Sequence, residues 1–189
     1  RETLDLPADR PIVLYQGGFL TENGLREQIE AASDFGDAAL VLIGDGPSEA
    51  ELQEQVRVGG LQDRVFFIPR VPFHQLHSYT CSADIGLCLI KGTGKSFYYS
   101  LPNKLFEYMM AGLPVLASDF PEMQRVVRET HAGVTVDPTD VDAIRFQVGE
   151  MLSDATKRAA YGLASQEAAQ RYHWEREADQ LTQLYASLA

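Results

Sequence analysis

Leu101-Pro-Asn-Lys-Leu-Phe-Glu-Tyr-Met-Met-Ala-Gly-Leu-Pro-Val-Leu-Ala-Ser-Asp119 is the stretch whose reading decides the fold. Pro102 suits the first turn of a helix, where its missing N–H would have had no intrahelical acceptor. Leu105, Phe106, Met109 and Met110 recur at i, i+1, i+4 and i+5, the spacing of one buried helical face. Gly112 then ends the helix, and Pro114 opens the apolar run Val115 to Ala117, which reads as a buried parallel strand. The predicted unit is helix, tight turn, strand.

Its chemistry is concentrated at the helix start. Lys104 falls in the first turn, where the helix dipole already places positive partial charge, so a lysine there is unfavourable unless an anion is near. A phosphate is an anion of the right kind. Glu107, three residues on, shares nearly the same face, and a carboxylate that accepts from two vicinal hydroxyls is a common way to hold a ribose. The competing reading is an i, i+3 ion pair between Lys104 and Glu107 on a solvated face. Local charge adds context: the chain carries 27 acidic residues against 16 Lys plus Arg, yet residues 85–106 contain no Asp or Glu and hold Lys91, Lys95 and Lys104. A basic loop in an acidic protein favours a small phosphorylated ligand over nucleic acid.

Outward from this unit the pattern repeats. Ile12–Gln16 reads as a strand closed by Gly17-Gly18, with a helix over residues 22–34. Glycines in that turn let backbone amides approach a ligand. Ala38–Ile43 is a second strand, and Ser48 is placed to cap a helix from Glu49 to Val58. Further strands are expected over 63–68, 83–90 and 133–136, with helices over 73–81, 121–129, 140–152, 154–172 and 174–188. Such alternation predicts an α/β fold: a Rossmann-like, doubly wound, six-stranded parallel sheet with helices on both faces and extra C-terminal helices. Ligands bind at the carboxyl ends of the strands in such sheets, so the loops after strands one, three and four and the start of the 102–112 helix are the expected walls.

The bulk numbers bound the rest. A 189-residue chain that is 45% hydrophobic can bury roughly 70% of its unfolded surface as one domain. A net charge of −11 argues against binding nucleic acid through the whole surface. Cys81 and Cys88 lie in or beside apolar runs and read as buried free thiols in a reducing cytosol. Apolar runs stay below the length needed to span a membrane. Residues 1–10 read as a linker and 11–189 as one domain cut from a longer chain, with 174–188 a helix that packs on a missing region. Three look-alikes are set aside. Lys91-Gly-Thr-Gly-Lys-Ser96 lacks the first P-loop glycine, since position 89 is Leu; His74, His77 and Cys81 do not close a four-ligand metal set; and there is no G-x-S-x-G elbow.

In this order the motifs resemble the donor-binding, C-terminal half of GT-B-fold glycosyltransferases of the group 1, family 4 type. The carriers are Tyr15-Gln-Gly-Gly18, Leu42-Ile-Gly-Asp-Gly-Pro47, Asp63-Arg-Val-Phe66, Ala83-Asp84, Leu101-Pro-Asn-Lys-Leu-Phe-Glu-Tyr108, Ala111-Gly-Leu-Pro-Val115, and Trp174-Glu175 with Leu184-Tyr185. The Pro-x-Lys form of the helix start marks a subgroup. The resemblance implies transfer of a hexose from a nucleoside diphosphate sugar, UDP-sugar favoured, to a glycan, lipid or other acceptor with retention, and no cofactor or metal. It implies Lys104 and Glu107 as the catalytic pair, with Glu107 on the ribose. Gly17, Gly18, Lys104 and Leu105 would meet the diphosphate, and Arg70 and Val71 the base. Tyr99 stands where the family has its first glutamate, and Phe19 and Asn23 replace its basic pair, for which Lys104 and Lys95 are the compensation. The implied partners are an N-terminal acceptor domain and no nucleic acid, with the whole protein cytoplasmic and able to touch the inner face of the membrane. The rival readings are a nucleotide-sugar epimerase of related fold and a non-catalytic binding or regulatory module.

Overall fold

The computed structural model describes residues 1–4 and 6–188. Six strands, β1 (Ile12–Gln16), β2 (Ala39–Ile43), β3 (Val65–Ile68), β4 (Ile85–Cys88), β5 (Val115–Ser118) and β6 (Gly133–Val136), alternate with helices. These are α1 (Leu25–Ala31), α2 (Glu49–Val58), α3 (Phe73–Thr80), α4 (Lys95–Tyr98), α5 (Asn103–Met110), α6 (Pro121–Thr130), α7 (Val141–Ser153), α8 (Ala155–Ala169) and α9 (Trp174–Ser187). The sheet order is β3-β2-β1-β4-β5-β6, and every neighbouring pair is parallel. The chain therefore winds outward from β1 in one direction, returns, and winds outward from β4 in the other. The topological switch point lies between β1 and β4.

Strand parity divides the core. Val13, Tyr15, Leu40 and Leu42 pack on one face with Leu25, Ile29, Ile144 and Val148. Ile12, Leu14, Val41 and Ile43 pack on the other with Leu105, Tyr108, Met109, Met123 and Val126. Both faces of β1, β2, β4 and β5 are covered, which is why these strands read as continuous apolar runs instead of alternating ones.

Tyr108 welds α5 to the switch point. Its ring is fully buried, and its hydroxyl lies between the two diverging strands, accepting from the Gln16 N–H at 3.1 Å with the Leu87 carbonyl 3.2 Å away. Where the β1–β4 ladder ends, a side-chain oxygen supplies the missing backbone partner.

Several expectations are corrected. The helix expected over 22–34 is broken at Gly24, whose left-handed backbone separates a 3-10 turn at Thr21–Asn23 from α1, and it ends in a second 3-10 turn at Ala32–Asp34. Ser48 has αR backbone and makes no side-chain cap; its carbonyl instead opens α2 by accepting from Leu52. Met110 is 56% exposed, so the buried face of α5 is Leu105, Tyr108 and Met109. Cys88 is buried but Cys81 is exposed. Arg1, at the start of the stretch read as a linker, is docked at the amino end of the sheet: its guanidinium donates to the Ser82 and Arg10 carbonyls and pairs with Asp84 at 2.7 Å. Among the described residues no helix is long and apolar enough to cross a membrane.

Candidate functional site

The carboxyl ends of β1, β2 and β3 and the first turn of α5 enclose a cleft of about 360 Å³. Its walls include Gln16, Gly17 and Gly18 after β1, Gly44 and Asp45 after β2, Arg70 and Val71 after β3, and Asn103, Lys104 and Glu107 from α5. Six of the residues singled out from the sequence, Gly17, Gly18, Arg70, Val71, Lys104 and Glu107, thus meet at one hollow although up to 90 positions separate them in the chain.

Each is placed by its element. Pro102 has extended backbone just before α5 and cannot continue a helix backward, so the helix begins at Asn103, and Asn103 and Lys104 of its first turn line the cleft. Gly17 has φ 134°, a backbone conformation that favours glycine, and a Cβ there would lie 3.2 Å from Lys104 Nζ, a tight contact that would push on the ammonium at the end of β1. Gly44 has φ 152°, and a Cβ would overlap the Gly17 carbonyl oxygen; the two loops touch through bare backbone.

Lys104 and Glu107 do not pair with each other. The Lys104 ammonium stands over the Tyr15 ring, 3.9 Å from its centroid, and enters no ion pair among the described residues. Burial lowers its pKa to about 8, against smaller raising effects from Cys88 and then from the Glu107 carboxylate. Glu107 Oε2 accepts from Gln16 Nε2 at 2.6 Å, while Oε1 has no protein partner among the described residues. The arrangement is a cation and a carboxylate oxygen presented side by side at a helix N-terminus, which suits a ligand carrying both phosphate and hydroxyl groups.

Other expected residues lie elsewhere. Leu105 is fully buried in the core and its N–H donates to the Pro102 carbonyl at 3.0 Å, so neither its side chain nor its amide faces the cleft. The loop after β4 does not line the cleft either. Lys91 is committed to Glu27 at 3.0 Å, and Lys95 and Tyr99 are exposed outside the cleft, with the Tyr99 ring edge-on to Tyr98. Charge counting along the chain brought these lysines together, but the fold does not. Gln16, Asn103 and Asp45 line the cleft unforeseen. For Gln16 a signal was available, since a polar residue ending a strand buried on both faces needs a partner.

A model of the family described as glycosyl transferases group 1 matches residues 1–168. The chain belongs to that family. This group 1 chain is 29% identical over 183 residues to a GDP-mannose-dependent alpha-(1-6)-phosphatidylinositol monomannoside mannosyltransferase of Mycolicibacterium smegmatis, covering 93% of this chain and 48% of that protein. It superposes on sucrose-phosphate synthase from Thermosynechococcus elongatus with a TM-score of 0.88 at 29% identity, over 100% of this chain and 48% of that one. The C-terminal domain of a group 1 family protein from Francisella tularensis shares the fold, with a TM-score of 0.74 at 19% identity over 90% of this chain and 89% of that domain. The group 1 chain therefore spans about half the length of the curated relatives it matches.

Proposed function

We propose that this chain is the donor-binding half of a glycosyltransferase, which, with an acceptor-binding domain, moves a hexose from a nucleoside diphosphate sugar to a glycan, lipid or other acceptor with retention of configuration. The observation that carries the reading is the convergence of Gly17, Arg70, Lys104 and Glu107 on one cleft at the carboxyl end of a doubly wound sheet.

In this reading the diphosphate sits against the first amides of α5, Gly17 and the Lys104 ammonium. Glu107 accepts from the ribose hydroxyls through its free Oε1, and the base lies along Arg70 and Val71. As the glycosidic bond breaks, negative charge accumulates on the departing diphosphate. Preorganised positive charge from Lys104 and the helix end stabilises it at that moment. The exposed apolar residues Leu181, Leu184, Tyr185 and Leu188 of and just after α9 face the acceptor domain. Uridine leads as the base on the family resemblance, and guanosine is its competitor because the Mycolicibacterium smegmatis relative is by name GDP-mannose-dependent.

Calorimetric titration with UDP, GDP, ADP and pyrophosphate, on the wild type and on Glu107→Ala, tests the reading. One nucleoside diphosphate should bind best, and the variant should lose that preference while keeping pyrophosphate affinity. Equal binding of all four ligands, or none at millimolar concentration, would overturn it.

A further inference from the structure

A buried polar relay runs behind Glu107. Gln16 ends β1 with 2% exposure and lies on the same strand face as Ile12 and Leu14, toward α3 and α5. Its amide is held from both sides: Nε2 donates to Glu107 Oε2 at 2.6 Å, and Oε1 accepts from the Thr80 hydroxyl at 2.8 Å. Thr80 is itself 1% exposed, and its single hydroxyl proton is shared between Gln16 Oε1 and the Leu76 carbonyl, a second acceptor 2.9 Å away.

The direction of this relay is fixed by chemistry. An ionised carboxylate only accepts, so the amide nitrogen must face Glu107 and the amide oxygen must face α3. There Thr80 is the donor. A buried amide costs free energy unless both ends are satisfied, and an apolar residue at the end of β1 would fill the same space without that cost. The polar pair is thus placed for what it does to Glu107. A glutamate lining a cleft has three rotatable bonds; tying Oε2 to a buried amide restrains the carboxylate and leaves Oε1, which has no partner among the described residues, available to a ligand in the cleft.

We propose that Gln16 is a positioning residue for Glu107, and that Thr80 sets the orientation of the Gln16 amide. Its substrate-side consequence is recognition of a vicinal diol: the relay holds one carboxylate oxygen so that the other meets the ribose hydroxyls. The inference rests on the donor-site reading above.

The test is equilibrium binding of the 189-residue chain to UDP and GDP and to their 2′,3′-dideoxy counterparts, for the wild type and for Gln16→Met, Thr80→Val and Thr80→Ser. Gln16→Met should weaken the ribose nucleotide that the wild type prefers by about tenfold and leave its dideoxy counterpart unchanged, because only the hydroxyl contact depends on the relay. Thr80→Val should act in the same direction more weakly, and Thr80→Ser, which keeps the donor, should restore the wild-type ratio. A purely structural role would lower affinity for ribose and dideoxy ligands alike, and that result overturns the proposal, as does an unchanged ratio. Should Gln16→Met fail to fold, the Thr80 pair decides, since it alters only the donor behind the amide. Failure of the donor-site reading looks different: the wild type itself would bind ribose and dideoxy forms equally, and Glu107→Ala would lose nothing.

Discussion

The Lys104 ammonium lies 3.9 Å from the centroid of the Tyr15 ring, so the first turn of α5 is tied to the end of β1 by a cation over an aromatic face. Glu107, three residues further along the same helix, is turned instead to Gln16. The helix pair that a sequence would join in a surface ion pair is split between two partners on β1, and both charges are left facing the cleft.

Lys104 should make stability and binding pH-dependent in opposite directions. Its pKa is lowered from 10.5 to about 8 by burial, so between those values the unfolded chain binds more protons than the folded one, and the Lys104 contribution to stability rises with pH across that window. Burial pushes the Cys88 thiol up from 9.0 to about 12, which makes stability fall above pH 9, so the lysine effect must be read as the difference from Lys104→Met. That variant should be more stable at pH 7 by ~1–3 kcal/mol in denaturant titrations. It should also bind pyrophosphate more weakly. In the wild type, diphosphate affinity should fall as pH rises through 8, with proton uptake on binding seen by calorimetry in buffers of different ionisation enthalpy.

Removing the Tyr108 hydroxyl should unclamp the switch point. Tyr108→Phe leaves the buried Gln16 N–H without its 3.1 Å acceptor and is expected to cost ~1–3 kcal/mol in chemical denaturation. A change below the error of that measurement would show that another acceptor takes over.

Gly44→Ala should be severe for its size. A methyl at this φ 152° position overlaps the Gly17 carbonyl, forcing the β1 and β2 loops apart. We expect ~2–4 kcal/mol of destabilisation, together with weakened nucleotide binding; a variant with wild-type melting temperature would contradict the close approach.

The two thiols should differ in reactivity. Cys81 is exposed, with His77 Nε2 3.4 Å from its sulfur, whereas Cys88 is fully buried with its pKa near 12. An alkylating reagent should modify one equivalent of thiol in the native protein and two in denaturant, counted by mass spectrometry. Two equivalents at comparable rates under native conditions would place Cys88 in an open region.

The amino-acid sequence by itself determined the alternation of strand and helix, the parallel sheet with both faces covered, the helix start just after Pro102 and six of the cleft residues, because those rest on periodicity, on proline and glycine stereochemistry and on motifs a few residues long. The tertiary structure alone decided partnership. Lys91 and Lys95 belong with Lys104 in a charge count, yet Lys91 is paired with Glu27 and Lys95 is exposed and does not line the cleft. Leu105 sits in the binding motif but turns its side chain into the core and its amide into the helix. Gln16, Thr80 and Glu107, 91 positions from first to last, become one hydrogen-bonded chain only because β1, α3 and α5 converge at the switch point. Local sequence encodes which face a residue occupies within its own element; which other element it meets there is set by the winding of the sheet.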